Sequence, residues 1–254
     1  MTRTIYVCIK QVPDTAEIRI DPLRHTLIRT GVESIINPYD LHALEAAVSL
    51  KESWGAKVTA ICMGPAQAEK SLREALARGA DHAVLLSDRA FSGADTWCTS
   101  LTLAHGIRKL GIPNLIICGK QAIDGDTAQV GPELAELLSI PQLLFTQSID
   151  AIDSRSISIT HLTDIGTEKI ATNLPALISV VKSINIPRLP SLHDWIYAQR
   201  QTIEKFDMHS LKILQNSIGL KGSPTRVKKI EGKVYNKKTV WLSQNSAKAA
   251  KEIL

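Results

Sequence analysis

The sequence predicts an α/β protein built on a mostly parallel sheet with helices on both of its faces. Two observations carry this prediction. Apolar runs of strand length alternate along the chain with helical patterns, which is typical of β-α-β units. These runs are apolar throughout instead of at every second position, as expected for strands that helices cover on both sides.

Each element follows from a local pattern. Asp95 is a suitable N-cap for one helix, and Pro65 suits the first turn of another, where a missing N–H costs nothing. A fourth helix begins at about Thr127 or at Gly131 and ends at Leu138. The strands are expected at residues 5–9, 58–63, 83–86, 115–118 and 176–181, a polar hairpin at 156–162 and 169–172, and the other helices at 38–54, 65–78, 96–110 and 192–200.

Charge is distributed unevenly along the chain. The net charge is +5, but residues 221–254 hold nine Lys/Arg and only two Asp/Glu, so the rest of the chain is close to neutral. A neutral body argues against nucleic-acid binding, which favours a basic face on the folded domain. We therefore expect one domain over residues 1–204 and a C-terminal arm over residues 205–254, polar and poor in core candidates, that wraps a partner.

Compartment and chemistry are constrained by what the sequence does not contain. No apolar run approaches the roughly 18 residues of a membrane span, and no signal peptide is recognisable, so we expect a cytoplasmic protein. The scattered cysteines are expected to be buried free thiols, and none forms a zinc-binding pattern; they are Cys8, Cys62, Cys98 and Cys118. No nucleophile–base constellation is visible, so we nominate no catalytic residue.

A candidate binding site lies where the strands end. In open parallel sheets, ligands bind outside the carboxyl ends of the strands. The loop after the strand at 115–118 is the most informative, because Gly119 allows close backbone approach and the carboxylates of Asp124 and Asp126 suit ribose hydroxyls. Thr127, Gln129 and the N–H groups of the following helix suit phosphate. An ordinary turn rich in turn formers explains the same loop, so both interpretations stay open.

Two further strand-end features are ambiguous. Lys10 suits either a phosphate or a partner carboxylate, although a solvated lysine is the simpler interpretation. Residues 37–40 supply polar and aromatic ligand contacts or cap the following helix, and the pattern favours capping. His42 and His105 lie within helical patterns and are interpreted as structural.

Five phrases in order give the chain a family resemblance. They are VCIKQVPDT at 7–15, INPYDLHALEAAVSLKE at 36–52, MGPAQAEKSLREALARGAD at 63–81, GKQAIDGDTAQVGPELAE at 119–136 and PRLPSL at 187–192. Over residues 3–230 the chain resembles the β subunit of electron-transfer flavoproteins, including the nitrogen-fixation-associated members. The resemblance implies a Rossmann-like sheet of the adenine-nucleotide α-hydrolase-like type and an α-subunit partner that carries a flavin.

The resemblance also implies an adenine-nucleotide site. Carried over by position, the contacts are Cys8, Asn37, Pro38, Tyr39, Asp40, Met63, Gly119, Lys120, Gln121, Ala122, Ile123, Asp124, Gly125, Asp126, Thr127, Ala128, Gln129 and Val130. Conventional members hold a structural AMP there. Electron-bifurcating members hold a second FAD, which takes a hydride from NADH and passes single electrons to the α-subunit flavin and to a low-potential acceptor such as ferredoxin or flavodoxin.

Three features are similar to the bifurcating type. Gly125 stands where AMP-type members tend to carry a larger acidic residue, and the phrases ADTWCTS at 94–100 and GLKGSPTRV at 219–227 are similar to bifurcating segments. We therefore expect FAD, with Tyr39 flanking the flavin ring and Thr96 beyond the pyrophosphate. NADH oxidation is then a property of the complex. The alternatives are a conventional subunit with AMP and a nucleotide-binding regulatory module without redox function.

A second site concerns the redox partner. PRLPSL resembles the loop that docks an acyl-CoA dehydrogenase or a related flavin enzyme, with Leu192 as an exposed apolar anchor. A surface leucine that covers the following helix is the competing interpretation. Family members usually continue with a lysine-rich stretch, whereas this chain has HDWIYAQR at 193–200. We expect a docking loop near residues 186–200.

Overall fold

A computed structural model describes residues 2–14 and 33–228, together with the backbone of 19–20 and 27–28. The strands are β1 Arg3–Ile9, β2 Gln11–Pro13, β3 Arg19–Ile20, β4 Leu27–Ile28, β5 Ser34–Ile36, β6 Ala56–Met63, β7 His82–Leu86, β8 Leu115–Gly119, β9 Gln142–Ile152, β10 Ser156–Thr163, β11 Gly166–Asn173, β12 Ala176–Val180 and β13 Glu204–Phe206. The helices are α1 Pro38–Trp54, α2 Glu69–Ala77, α3 Thr96–Leu110, α4 Val130–Leu138, α5 Leu192–Arg200 and α6 Gly219–Gly222.

Nine strands form one sheet in the order β11-β10-β9-β12-β8-β1-β6-β7-β13. Neighbouring strands are parallel along the series β9-β12-β8-β1-β6-β7-β13. The two remaining pairs, β9 with β10 and β10 with β11, are antiparallel. Cys8 at the end of β1 lies between Ile61 of β6 and Cys118 of β8. The parallel strands therefore end at one edge, and the predicted α/β fold class is confirmed.

Each face of the sheet has its own apolar core. Ile5 and Val7 of β1 pack with α1 and α2, while Tyr6 of the same strand packs with α3 and α4. Successive residues of a strand point to opposite faces, so a strand covered on both sides has no polar position in its centre. This is why the predicted strands are apolar throughout.

Local signals set most helix boundaries. The predicted bounds of α1, α3 and α5 are confirmed, and the Asp95 carboxylate accepts from the backbone N–H of Cys98 as the expected N-cap of α3. The second helix is shorter than predicted, because residues 66–68 form a separate 3-10 turn before α2 begins at Glu69. The fourth begins at Val130, with Gln129 and not Gly131 as N-cap.

The long strand β9 was not predicted from the sequence. Its pairing with β10 and β12 is interrupted by register shifts, and Phe145 adopts a left-handed φ of 53°. Such bulges break the alternation of apolar and polar residues on which strand prediction depends. The hairpin predicted at 156–162 and 169–172 is confirmed, with longer strands than predicted, and together with β9 it extends the sheet on one side.

The chain after residue 204 begins on the body of the protein. β13 pairs with β7 at the edge of the sheet. Four side chains of this segment are buried in the core that contains α3 and α4: Phe206, Leu211, Ile213 and Ile218. The prediction that the C-terminal arm is poor in core residues is therefore wrong for its first part, up to Ile218. They are spaced irregularly among polar residues, so no helical or strand period marks them. The rest of the expected arm, residues 229–254, lies outside the described residues.

The predicted state of the four cysteines is confirmed, because all four are buried and free. Burial raises the pKa of the Cys8 and Cys62 thiols to about 12, so both remain protonated at neutral pH. Among the helices of the part of the chain described above, none has the length and apolar character needed to cross a membrane.

Candidate functional site

A cavity of about 870 Å³ opens at the carboxyl edge of the parallel strands. It lies where ligands bind in open α/β sheets, and its volume is in the upper part of the range of about 300–1,000 Å³ typical of small-molecule sites. Fourteen of the nineteen predicted contact residues line it: Cys8, Asn37, Asp40, Met63, Thr96, Gly119, Lys120, Gln121, Ala122, Gly125, Thr127, Ala128, Gln129 and Val130. The other five, Pro38, Tyr39, Ile123, Asp124 and Asp126, lie beside it and do not line it.

Asp40 holds three strand-end segments together. Its carboxylate accepts hydrogen bonds from the backbone N–H of Lys10 at 2.8 Å and of Gly119 at 3.2 Å. Burial raises the pKa of this carboxyl to about 7, although the N–H donors, Asn37 and the Lys10 charge all oppose the rise. The beginning of α1 is thereby fixed to the ends of β1 and β8.

Asn37 positions the loop after β8 and does not cap α1. It occupies the N-cap position but makes no side-chain capping bond. Its side chain instead donates to the carbonyl of Gln121 at 2.9 Å and accepts from the N–H of Ile123 at 3.1 Å. The interpretation of residues 37–40 as a helix cap is therefore wrong for this side chain, because a partner 84 residues away takes its hydrogen bonds.

The loop over residues 119–130 is held by its own polar side chains. Lys10 pairs with Asp124 at 2.7 Å, and the Gln121 amide donates to Asp126. Lys10 is half exposed and pairs with a carboxylate of the same chain. Asp126 and Ala128 adopt left-handed φ values of 54° and 55°, a conformation that costs on the order of 1 kcal/mol or more for residues other than glycine. Strain of this kind is concentrated at binding sites.

The two glycines of this loop differ in what surrounds them. A Cβ on Gly119 would overlap the Asp40 carboxylate and would lie 2.6 Å from the Tyr39 Cβ, so the close approach of α1 requires glycine. A Cβ on Gly125 would meet no protein atom within 4 Å. Packing within the protein therefore explains the first glycine and leaves the second, which lines the cavity, without a structural reason.

Tyr39 lies outside the cavity lining. Its ring carries the Lys182 ammonium group at 4.9 Å from the ring centroid, in a cation–π contact. The Tyr39 ring thus contacts a lysine that follows β12, and its expected place beside a flavin ring stays a prediction.

Most of the far wall of the cavity was missed by the sequence reasoning, which nominated only Thr96 as a ligand contact on this side. The wall consists of residues 87–95, which follow β7, together with Thr99 and Leu103 of α3. The strand at 83–86 was predicted, and its carboxyl end lies at the same sheet edge as the others, so the strand-end rule was a sufficient signal. Arg89 on this wall and Lys120 opposite have no carboxylate partner among residues 2–14 and 33–228.

The segment after α6 covers the rim of this wall. The Asp95 carboxylate accepts from both the N–H and the hydroxyl of Thr225, at 2.9 and 2.8 Å. The backbone N–H of Leu220 donates to Ser92, and a Cβ on Gly219 would overlap the Ala90 carbonyl. The phrases at 94–100 and 219–227, distant in sequence, therefore meet at the cavity.

The cavity is lined by hydrogen-bonding and charged groups. The described residues hold no cluster of His, Cys, Asp and Glu side chains suited to a metal ion. A parallel sheet with helices on both faces and a ligand-sized cavity at the carboxyl strand edge defines a Rossmann-like α/β protein.

Comparison with known proteins agrees with this class and narrows it. The model of the electron transfer flavoprotein domain matches residues 25–210. The electron transfer flavoprotein subunit beta of Clostridium acetobutylicum is 50% identical over 225 residues, which cover 89% of this chain and 86% of that protein. The chain therefore belongs to the electron transfer flavoprotein β-subunit family, and the resemblance found in the sequence is confirmed.

Two further relatives carry more specific names. The caffeyl-CoA reductase-Etf complex subunit CarD of Acetobacterium woodii is 48% identical over 224 residues, 88% of this chain and 85% of that protein. The protein FixA of Sinorhizobium fredii is 45% identical over 233 residues, 89% of this chain and 82% of that protein.

Proposed function

We propose that this chain is the β subunit of a heterodimeric electron transfer flavoprotein and that its cavity binds FAD as a bifurcating cofactor. In this role the bound flavin accepts a hydride from NADH and passes single electrons to the α-subunit flavin and to a low-potential acceptor such as ferredoxin or flavodoxin. A cytoplasmic location and an acyl-CoA dehydrogenase-like redox partner complete the proposal.

The near side of the cavity suits an adenosine group. Asn37 and Asp40 fix the loop of residues 119–130, so its backbone is preorganised before a ligand arrives. Preorganisation supports binding because the ordering cost is met during folding. The α4 N-terminus, Arg89 and Lys120 together provide N–H groups and positive charge for a pyrophosphate.

The cavity extends beyond the loop of residues 119–130, and this extent is the observation that favours FAD over AMP. The cavity continues along residues 87–96 to Leu103, on the opposite wall. No protein atom lies close enough to Gly125 to require a glycine there. A ligand that passes over this residue would explain why it has no side chain. The rim of this region is built by the two phrases that resemble bifurcating members.

The test of this proposal is to count nucleotides in the purified complex. We expect two FAD molecules per heterodimer, one of which is reduced directly by NADH. One FAD and one AMP per heterodimer would instead support the conventional subunit, whose adenosine anchor is the same. A chain that forms a stable homodimer and never binds an α subunit would support the regulatory module.

The C-terminal arm is proposed to hold the α subunit. Residues 221–254 carry an excess of seven positive charges, and the described part of the arm leaves the body beside Asp95 at the cavity rim. A long basic segment without its own core gains stability by lying on another surface. Deleting residues 229–254 should therefore release the α subunit at moderate salt, which gel filtration of the co-expressed pair would detect.

Leu192 is proposed as the anchor for the redox partner. Its side chain is 77% exposed at the beginning of α5, so it does not cover the helix that follows. The loop before it is attached to α1, because Arg188 bonds the carboxylates of both Glu45 and Glu52 at 2.6–2.9 Å. A fixed, exposed apolar side chain is a suitable hot spot for a transient complex.

Replacing Leu192 with alanine is expected to slow electron transfer to the dehydrogenase partner about tenfold or more, because a hot-spot side chain contributes about 2 kcal/mol. The flavin content should not change. Ile165→Ala is the matched control, since Ile165 is 97% exposed in the turn between β10 and β11 and lies outside both the loop of residues 186–200 and the arm of residues 205–254. Stopped-flow transfer rates that fall equally in both variants would contradict a specific role for Leu192.

A further inference from the structure

Residues 92–95 on the far wall of the cavity are held in place by a later part of the chain. They line the cavity, follow β7 and are not part of the sheet. Within the described chain, every hydrogen bond that joins them to a segment distant in sequence is made with residues 219–225. Residues 219–225 do not themselves line the cavity. They therefore support this wall from outside, and we call them the supporting segment.

Asp95 makes the central contact with the supporting segment. One of its carboxylate oxygens accepts from the backbone N–H of Cys98 at 3.1 Å and caps α3. The other accepts from both the N–H and the hydroxyl of Thr225, at 2.9 and 2.8 Å, and the Asp95 N–H donates to the Ser223 hydroxyl at 2.9 Å. Hydrogen bonds to a charged acceptor are roughly twice as strong as those between neutral groups. Asp95 thus joins the beginning of α3, the cavity wall and the supporting segment at one point.

The supporting segment also packs closely against the wall before Asp95. The backbone N–H of Leu220 donates to the Ser92 carbonyl at 3.0 Å. A Cβ on Gly219 would lie 2.0 Å from the Ala90 carbonyl oxygen, so only a glycine allows the segment to approach this far. Because the contacts extend from residue 90 to residue 95, a displacement of the segment must also displace the wall.

We propose that Asp95 is a positioning residue of the nucleotide site, which holds the wall of residues 92–95 in its binding conformation by attaching it to the supporting segment. Asp95 acts through this wall, because each of its oxygens already accepts a hydrogen bond within the protein. Nucleotide binding and attachment of the segment are then coupled, and such coupling is reciprocal, so each event favours the other by the same factor. The inference rests on the proposed nucleotide site and adds to it the part of the chain that supports it.

Two variants remove this attachment, one from each side. Thr225→Val deletes the hydroxyl and keeps the size of the side chain, and Thr225 does not line the cavity. Asp95→Asn keeps the α3 cap, because asparagine is as good an N-cap as aspartate, but it presents N–H groups to Thr225 in place of a carboxylate oxygen. Thr225→Ser restores the hydroxyl. Ser217→Ala is the matched control, because the Ser217 hydroxyl makes an equally short bond, at 2.8 Å, to the Leu214 carbonyl and not to the wall.

The test measures how fast the nucleotide leaves this site. The full-length chain, purified with its α subunit, is loaded with radiolabelled FAD, and the loss of label is followed during a chase with unlabelled FAD. Thr225→Val should raise the dissociation rate about threefold, the smaller end of what one hydrogen bond contributes, because Thr225 is exposed. Asp95→Asn loses both bonds and should raise the rate about tenfold, and adding Thr225→Val to it should have no further effect. Thr225→Ser and Ser217→Ala should keep the wild-type rate.

The coupling is measured on the supporting segment itself. Lys221 and Arg226 are exposed, so trypsin can cut after them when the segment leaves the wall. In the wild type, saturating FAD should slow this cleavage several-fold, whereas in Thr225→Val and Asp95→Asn it should slow the cleavage much less. A variant that had only lost stability would be cut faster but would keep the same protection by FAD. The ratio of cleavage rates with and without FAD therefore separates positioning from folding.

Unchanged dissociation rates in both Asp95→Asn and Thr225→Val would overturn the role of Asp95. A faster rate in Asp95→Asn alone would overturn it as well, because the effect would then not pass through the supporting segment. If the wild-type complex holds AMP in place of FAD, the cofactor of the proposed function is refuted, and the same rates measured with labelled AMP decide the role of Asp95.

Discussion

Replacing Gly119 with alanine is expected to lower the free energy of unfolding by about 2–3 kcal/mol and to abolish nucleotide binding. The new Cβ would overlap the Asp40 carboxylate and lie 2.6 Å from the Tyr39 Cβ, so α1 must move away from the end of β8. Forcing extra atoms into a packed site costs about 1–3 kcal/mol, and the costlier end applies where backbone has to shift. Chemical denaturation and nucleotide content measure the two effects.

Gly125→Ala is the matched control in the same loop. A methyl group there meets no protein atom within 4 Å, so the free energy of unfolding should change by less than about 0.5 kcal/mol. Because Gly125 lines the cavity, FAD retention should nevertheless fall. If Gly119→Ala were as stable as Gly125→Ala, the close approach of α1 to residue 119 would not exist in solution.

The second large effect concerns the pH dependence that Asp40 gives to stability. Its pKa is raised by burial from an ordinary value of 3.8 to about 7, so the folded protein keeps the proton over a range in which the unfolded chain has lost it. Stability then falls as the pH rises from about 4 to about 7 and is level above that. An asparagine side chain has no proton to lose in this range, so in Asp40→Asn this contribution to the slope disappears.

Urea denaturation at pH 5, 6, 7 and 8 would measure this difference. We expect the advantage of the wild type over Asp40→Asn in free energy of unfolding to shrink by about 2 kcal/mol between pH 5 and pH 7. Asp81→Asn is the matched control, because Asp81 also accepts a backbone N–H, from Val58 at 2.8 Å. Burial raises the pKa of Asp81, but the bonds from Lys51 and Val58 outweigh this and lower it overall, so its contribution is lost only in acid. A parallel shrinkage in both variants would refute the assignment to Asp40.

Much of the fold was predictable from near neighbours in the sequence. The bounds of α1, α3 and α5 follow from a proline in the first turn, from Asp95 and from Ser191, all of which act within three residues. The buried thiols follow from the apolar runs around them. The strand-end rule indicated the edge of the sheet at which the cavity opens, and the family resemblance supplied most of the predicted lining residues. The same rule applied after β7 would have added residues 87–95.

The features that were not predicted depend on contacts between residues that are distant in sequence. β9 was not predicted because bulges interrupt its alternation, and the buried residues from Phe206 to Ile218 have no regular period. Their burial depends on a sheet edge and a helix surface formed by residues about 100 positions earlier. Nothing in their own neighbourhood distinguishes them from surface residues.

The sequence alone therefore determined the fold class, the family and the edge of the sheet at which the cavity opens. Only the tertiary structure showed that Asn37 holds the loop of residues 119–130, that Gly119 is needed by α1, and that the Thr96 hydroxyl bonds to the Glu133 carboxylate. The physical reason is one of range. Helix caps and apolar periods are interactions between neighbouring residues, whereas each of these contacts joins segments that the strand order brings together from 37 to 86 residues apart.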